Sequence, residues 1–150
     1  MIEEEWRARD YFAEMYVAGV LADAGWDIYF PRRDKGFDMI VSKGSPSGIA
    51  LHPVQVKGKY CTDGKTDKAR YGYVGTLTAL HDEMILALPF FTSSDAAAPR
   101  HIAWMPRSTI KISSRGHACE PACFKSGEPK PRRDFKQYFD EAGLQRLAIP

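Results

Sequence analysis

Gly36-Phe37-Asp38-Met39-Ile40-Val41-Ser42, the cluster Gly44-Ser45-Pro46-Ser47-Gly48, and Ile49-Ala50-Leu51-His52-Pro53-Val54-Gln55-Val56-Lys57 decide the fold. Two apolar, β-branched runs, Phe37 to Ser42 and Ile49 to Lys57, flank a Gly/Ser/Pro cluster of the kind that reverses a chain, which predicts a β-hairpin. Along the returning strand side chains alternate between faces, so Val54 and Val56 take one side and Gln55 and Lys57 the other. Asp38 opens the outgoing strand, and hairpin pairing brings its carboxylate beside that pair. A carboxylate, an amide oxygen and an ammonium are therefore expected at one strand end.

Upstream, residues 7 to 24 are nearly free of Gly and Pro and rich in Ala, Met, Leu and Val, with Gly25 where a helix stop belongs. Glu14 shares a stripe with Tyr11, Val17, Ala18 and Leu21 at spacings of three, four and seven, the stripe that faces a core. Leaving even a neutral polar group unsatisfied there costs on the order of 2–7 kcal/mol, so a carboxylate among these neighbours must be paired, hydrogen-bonded or bound to a cation. Trp26 to Phe30 is a short aromatic, β-branched strand closed by Pro31. Helix, strand, strand, strand is the opening order.

Downstream, the chain is polar and basic from Gly58 to Arg70, and Tyr71 to Leu80 and Met84 to Phe91 read as two more strands. Thr92 to Pro99 reads as a loop and His101 to Met105 as a last short strand. Gly116 to Pro131 is rich in Gly, Pro and Lys without periodicity, which predicts an irregular surface excursion. Arg133 to Leu147 carries apolar residues at Phe135, Tyr138, Phe139, Ala142 and Leu147, an amphipathic closing helix interrupted by Gly143. The expected organisation is one α/β domain over residues 1–150, with a core at about 7–106 and a basic irregular segment and closing helix at 107–150.

With 150 residues, 44% hydrophobic and 27% charged, the chain can bury one proper core, and two large domains are excluded. There is neither an eighteen-residue apolar run nor a basic start followed by one, so a membrane span and a secretory signal are not expected. Cys61, Cys119 and Cys123 are an odd number, which argues against a disulfide framework and for a reducing, cytoplasmic setting. His117 with these three cysteines could be read as a zinc site, but the spacing lacks a paired CxxC, and free loop thiols are the expectation. The formal charge of +2 conceals an asymmetry: residues 1–27 hold seven acids and two basic side chains, so the remainder carries a net +7. Lys57, Lys59, Lys65, Lys68 and Arg70 cluster ahead of Tyr71 and Tyr73, and nine basic residues stand against three acids from Arg100 to Lys136. Such a distribution suits a polyanion, with affinity coming from phosphate contacts.

Together, Glu14-x-x-Val17-Ala18-x-x-Leu21-x-x-x-Gly25-Trp26, Pro31, Gly36-Phe37-Asp38-Met39-Ile40-Val41 and Val54-Gln55-Val56-Lys57 resemble the PD-(D/E)XK nucleases, also called restriction-endonuclease-like. The resemblance runs from about Tyr11 to Lys59 and is to the stand-alone branch that includes archaeal Holliday junction resolvases and small homing endonucleases. It implies a mixed sheet flanked by helices, a divalent cation, usually magnesium with manganese able to substitute, and hydrolysis of DNA phosphodiesters. It implies metal ligands at Asp38, the Gln55 side-chain oxygen, the Val56 carbonyl and Glu14, with Lys57 beside the attacking water. The sequence departs from the family pattern twice: Phe37 rather than Pro precedes Asp38, and Gln55 stands where most members carry an acid. The second departure removes a negative charge from the site, although an amide oxygen remains a legitimate ligand for a hard cation.

Arg32 and Arg33, in the loop before Asp38, are placed to contact phosphate, as are Lys59, Lys68 and Arg70. Cutting two strands calls for two sites, so a homodimer is expected. Two other readings remain: a nucleic-acid-binding module on the same fold that has lost cleavage, for which Gln55 speaks, and a subunit or toxin-like element whose partner supplies specificity.

Overall fold

A computed structural model describes residues 3–33, 36–61, 77, 79–114 and 116–149. The first helix, α1 (Glu3–Asp23), stops where the sequence places its stop. Gly25 takes φ +94°, its N–H bonds to Ala22 O at 3.0 Å, and the Trp26 N–H reaches back to Leu21 O at 3.0 Å. This paired closure satisfies the helix's last carbonyls and packs Trp26 against Leu21 in the core.

The chain then forms β1 (Asp27–Tyr29), β2 (Met39–Ser45) and β3 (Gly48–Val56). The β2–β3 hairpin pairs from Met39 with Val54 to Ser45 with Gly48, leaving Pro46-Ser47 as a two-residue turn. After a break at Lys57-Gly58 come β4 (Lys59–Tyr60), β5 (Ile85–Phe91) and β6 (His101–Pro106). β1 and β3 are antiparallel to β2, β5 runs parallel to β3 and β4, and β6 returns antiparallel to β5. The molecule is thus a single small α/β domain on a mixed sheet. Among the described residues, no helix is long and apolar enough to cross a membrane.

β5 is buried along its whole length because it is covered on both faces. On one face, Ala13, Val17 and Leu21 of α1 pack with Met39, Val41, Val54 and Val56. On the other, Leu86, Leu88 and Phe90 pack with Ala103, Met105, Ile110, Cys119 and Phe124. The stripe on α1 differs from expectation in one member, since Tyr11 is 64% exposed and Ala13 takes the buried place.

The second core corrects the reading of Gly116 to Pro131 as an irregular excursion. β7 (Lys111–Ser113) pairs with β8 (Gly116–Ala118), and β9 (Ala122–Lys125) with β10 (Glu128–Pro131). The second hairpin turns at Ser126 and Gly127, both with positive φ, the geometry a tight two-residue turn demands. Strands of three and four residues carry too little alternation to be read among Gly, Pro and Lys, yet Phe124 is only 1% exposed. The strand expected over 71–80 falls mostly on residues outside those described, while Leu77, Ala79 and Leu80 lie in irregular backbone.

The closing helix is likewise broken elsewhere than expected. Arg133–Tyr138 forms a 3-10 turn, Phe139 bridges to Ala103, and α2 (Asp140–Leu147) begins with Asp140 at φ +54°. The Asp140 carboxylate accepts from the Ile102 N–H at 2.9 Å and meets His101 Nδ1 at 2.7 Å, tying this strained start to β6. His52 of β3 fastens the far end, with its ring nitrogens 2.8 Å from Glu83 O and 2.9 Å from Leu147 O. Gly143 lies inside α2, where a Cβ would collide with the Tyr138 carbonyl and crowd Trp104. It permits a close approach rather than breaking the helix.

That packing fixes the sign of a substitution. Gly to Ala in a helix interior normally gains about 1 kcal/mol, but here overpacking against backbone outweighs it. Gly143→Ala is expected to destabilise by about 1–3 kcal/mol net, lowering the melting temperature by about 3–10 °C in thermal unfolding followed by circular dichroism. A raised melting temperature would show that α2 does not approach Tyr138 this closely.

Candidate active site

The site is built where the β2–β3 hairpin opens. The Asp38 N–H donates to Val54 O at 2.9 Å, just beyond the last regular pair of the hairpin, Met39 with Val54. The Asp38 side chain then takes over from backbone: its Oδ2 accepts the Val56 N–H at 2.6 Å. A charge-assisted bond of this length fixes the orientation of the carboxylate. Val54 and Val56 are buried in the α1-side core, while Gln55 and Lys57, at the alternate positions, are half-buried at the strand end.

α1 closes the site from above. Burial of Ala13 and Val17 against the sheet sets the helix phase, so Glu14 stands at the edge of the buried stripe, partly exposed. Glu14, Asp38, Gln55, Val56 and Lys57 line one cleft of about 210 Å³. All five expected catalytic or ligating positions are brought together. Asp10 and Gly58 line the same cleft and were missed. The signal for Asp10 was available, because it precedes Glu14 by four residues and so shares its helix face.

The donor set is carboxylate, amide and backbone carbonyl oxygen, the chemistry of a hard divalent cation rather than of zinc or copper. Among the described residues no three His, Cys, Asp or Glu side chains group closely enough to form a metal site by themselves. The Gln55 amide and the Val56 carbonyl share the lining of this cleft with the carboxylates.

The strand break beside Lys57 has a visible cause. The Lys57 N–H donates to Ala87 O at 3.0 Å and the Cys61 N–H to Phe91 O at 3.2 Å, so the odd-numbered residues of β5 direct their backbone groups toward β3 and β4. Pro89 lies between them and has no N–H to give. The ladder fails there, separating β3 from β4 at Lys57-Gly58, and the Tyr60 hydroxyl packs into the space a Cβ on residue 58 would fill.

The outlying basic residues fare unevenly. Arg32 and Arg33 are exposed on the loop between β1 and β2, and Lys68 and Arg70 lie outside the described residues. Lys59 is not on the surface: it is 8% exposed, inserted beside the second core. Burial pulls its ammonium down to about 8, the nearby Lys57 charge adds to the fall, and Cys119 and Glu120 oppose it. Cys119 is also buried, which pushes its thiol up to about 11. His117 Nδ1 accepts the Leu77 N–H at 3.0 Å, and Cys119 and Cys123 are not in disulfides, Cys119 buried and Cys123 in β9 rather than a loop.

No protein-family model matches the sequence, and no curated protein matches it either.

Lys59 generates a stability prediction with a definite sign. Between pH 8 and 10.5 the unfolded chain holds this proton more tightly than the folded one, so stability rises with pH across that window. Cys119 acts oppositely between pH 9 and 11, where the folded thiol keeps its proton. Lys59→Met is therefore expected to stabilise by about 1–3 kcal/mol at neutral pH and to remove the rise between pH 8 and 9, read from urea unfolding at a series of pH values. A destabilised variant would show that the ammonium contributes more through its partners than its burial costs.

Proposed function

We propose that this protein is a metal-dependent endonuclease of restriction-endonuclease-like fold that hydrolyses phosphodiester bonds in DNA. The observation that carries the reading is the Asp38 carboxylate, oriented by Val56 and lining one polar cleft with Glu14, Gln55 and Lys57. The mixed sheet with α1 packed across the hairpin and the order Glu14, Asp38, Gln55, Lys57 support the family resemblance.

Asp38, Glu14, the Gln55 side-chain oxygen and the Val56 carbonyl would hold the cation. Magnesium held there would supply Lewis acidity toward a phosphoryl oxygen and make a water more acidic. Lys57, on the strand face beside Gln55, orients the attacking water and offsets charge as it develops on the phosphate. Asp38 holds its place through the reaction because one oxygen is anchored to backbone. Arg32 and Arg33 contact flanking phosphates, and a second copy of the chain supplies the site for the other strand of a duplex in the cytoplasm. One observation favours a second reading, a binding module without cleavage: an amide at position 55 leaves the cation site one charge short of the usual set.

Relaxation of supercoiled plasmid with magnesium, with manganese and with chelator separates the two. Cleavage is expected only with metal, and Asp38→Asn and Lys57→Ala are expected to lower it by about 10²–10³-fold or more. Asn keeps an oxygen for the Val56 N–H, so loss of activity there reports lost charge rather than lost folding. Gln55→Glu is expected to keep or raise activity. Full cleavage by Asp38→Asn would overturn the assignment, and absence of cleavage with DNA binding that persists in chelator would favour the binding module.

A further inference from the structure

A second hollow of about 240 Å³ shares Glu14 and Asp38 with the catalytic cleft and is otherwise walled by Tyr11, Phe30, Phe37, Met15 and Pro31. Its walls are aromatic and exposed: Tyr11 is 64% and Phe30 55% accessible. Tyr11 and Phe30 are thus two large exposed rings that share one hollow beside the site. Packing does not account for the cluster, because α1 turns Ala13 rather than Tyr11 toward the sheet and β1 ends just before Phe30.

We propose that this hollow receives an unpaired base of the strand being cut, so that the preferred substrate is DNA with unpaired nucleotides next to the scissile phosphate. The inference rests on the nuclease reading and deepens it. Three features select a base over the rest of a nucleotide. The shared wall carries the Glu14 and Asp38 carboxylates, which repel a phosphate but not a neutral heterocycle. The remaining wall offers aromatic faces, on which any base stacks, with little demand for sequence. The volume is below the roughly 300–1,000 Å³ of sites that enclose a drug-sized ligand, which suits one ring system. A base inside a duplex keeps its faces against its neighbours and cannot lie on Tyr11 or Phe30, whereas a splayed base can. Arg32 and Arg33 follow Phe30 by two and three residues and are exposed, placed for the adjoining phosphates while the base turns inward.

Fluorescence anisotropy in chelator, at one fixed salt concentration, tests this without cleavage. The probes are a short labelled single-stranded DNA and a duplex of the same sequence. Wild type is expected to prefer the single strand, and Tyr11→Ala and Phe30→Ala are each expected to weaken its binding about tenfold while changing the duplex by less than about twofold. Both side chains are mostly exposed, so their truncation leaves the core intact. Ile112→Ala, 77% exposed on β7, is the control and should change neither probe. Equal loss on both probes, or no loss on either, overturns the base site. If wild type still cuts plasmid with magnesium in that case, the nuclease reading stands alone. If wild type neither binds either probe nor cuts, both readings fall.

Discussion

The bond from the Val56 N–H to Asp38 Oδ2 is the interaction on which the site depends. It lies at the mouth of a hairpin whose register is set by Met39 opposite Val54 and by a two-residue turn at Pro46-Ser47. A one-residue slip would turn Val54 and Val56 to the wrong face and bring Gln55 and Lys57 into the α1-side core. The hydrophobic cost of that slip holds the polar cluster in place: four buried side chains, Met39, Val41, Val54 and Val56, lock the register that sets Asp38 against the end of β3, where its backbone meets Val54 and its carboxylate meets Val56. The placement of the polar groups is a consequence of burying their apolar neighbours.

A second constraint acts on Lys57. A proline inside a fully buried central strand is unusual, and Pro89 removes the one backbone donor that would continue the ladder past Lys57. Gly58 then lets Tyr60 fold back over the break, and Tyr60 stacks on Phe91 at 5.0 Å. The Arg9 guanidinium lies 4.8 Å from the Phe91 ring centre and 5.4 Å from that of Tyr60, so the early part of α1 is tied to the same point. The helix that carries Glu14 and the strand that carries Lys57 are thereby fixed against one aromatic stack.

The first hairpin, the helix with its glycine stop and the four polar positions were legible because each rests on local signals: alternation, a turn cluster and a capping residue. The helix phase was legible to within a residue or two, which sufficed for Glu14 and erred on Tyr11. What stayed hidden was tertiary. The strands β7 to β10 span three or four residues each and exist because Phe124, Cys119 and Ala122 cover the open face of β5, a need that no window of sequence near residue 120 reveals. Lys59 reads as one more surface cation in a basic run, and only the continuation of β3 into β4 shows that its position opposite Phe90 turns it inward. Gly143 reads as a helix breaker, whereas the close approach of Tyr138 and Trp104 is what calls for a glycine.

The uneven charge of the chain takes on a different meaning once the elements are placed. Formal charge along the sequence divides an acidic start from a basic remainder, but the cleft is assembled from both. Asp10 and Glu14 come from the acidic helix, and Asp38, Gln55 and Lys57 from the sheet. Three carboxylates therefore line a cleft in which position 55 is neutral, with a single ammonium beside them. A negative cleft repels a phosphodiester unless a cation is present, so the same residues that would hold a divalent ion also make productive approach of the substrate conditional on it. Lys59 is drawn into the core and does not line the cleft, so it is not placed to contact the substrate. The charge that meets the substrate must come from Lys57, from Arg32 and Arg33 at the rim, and from the cation itself.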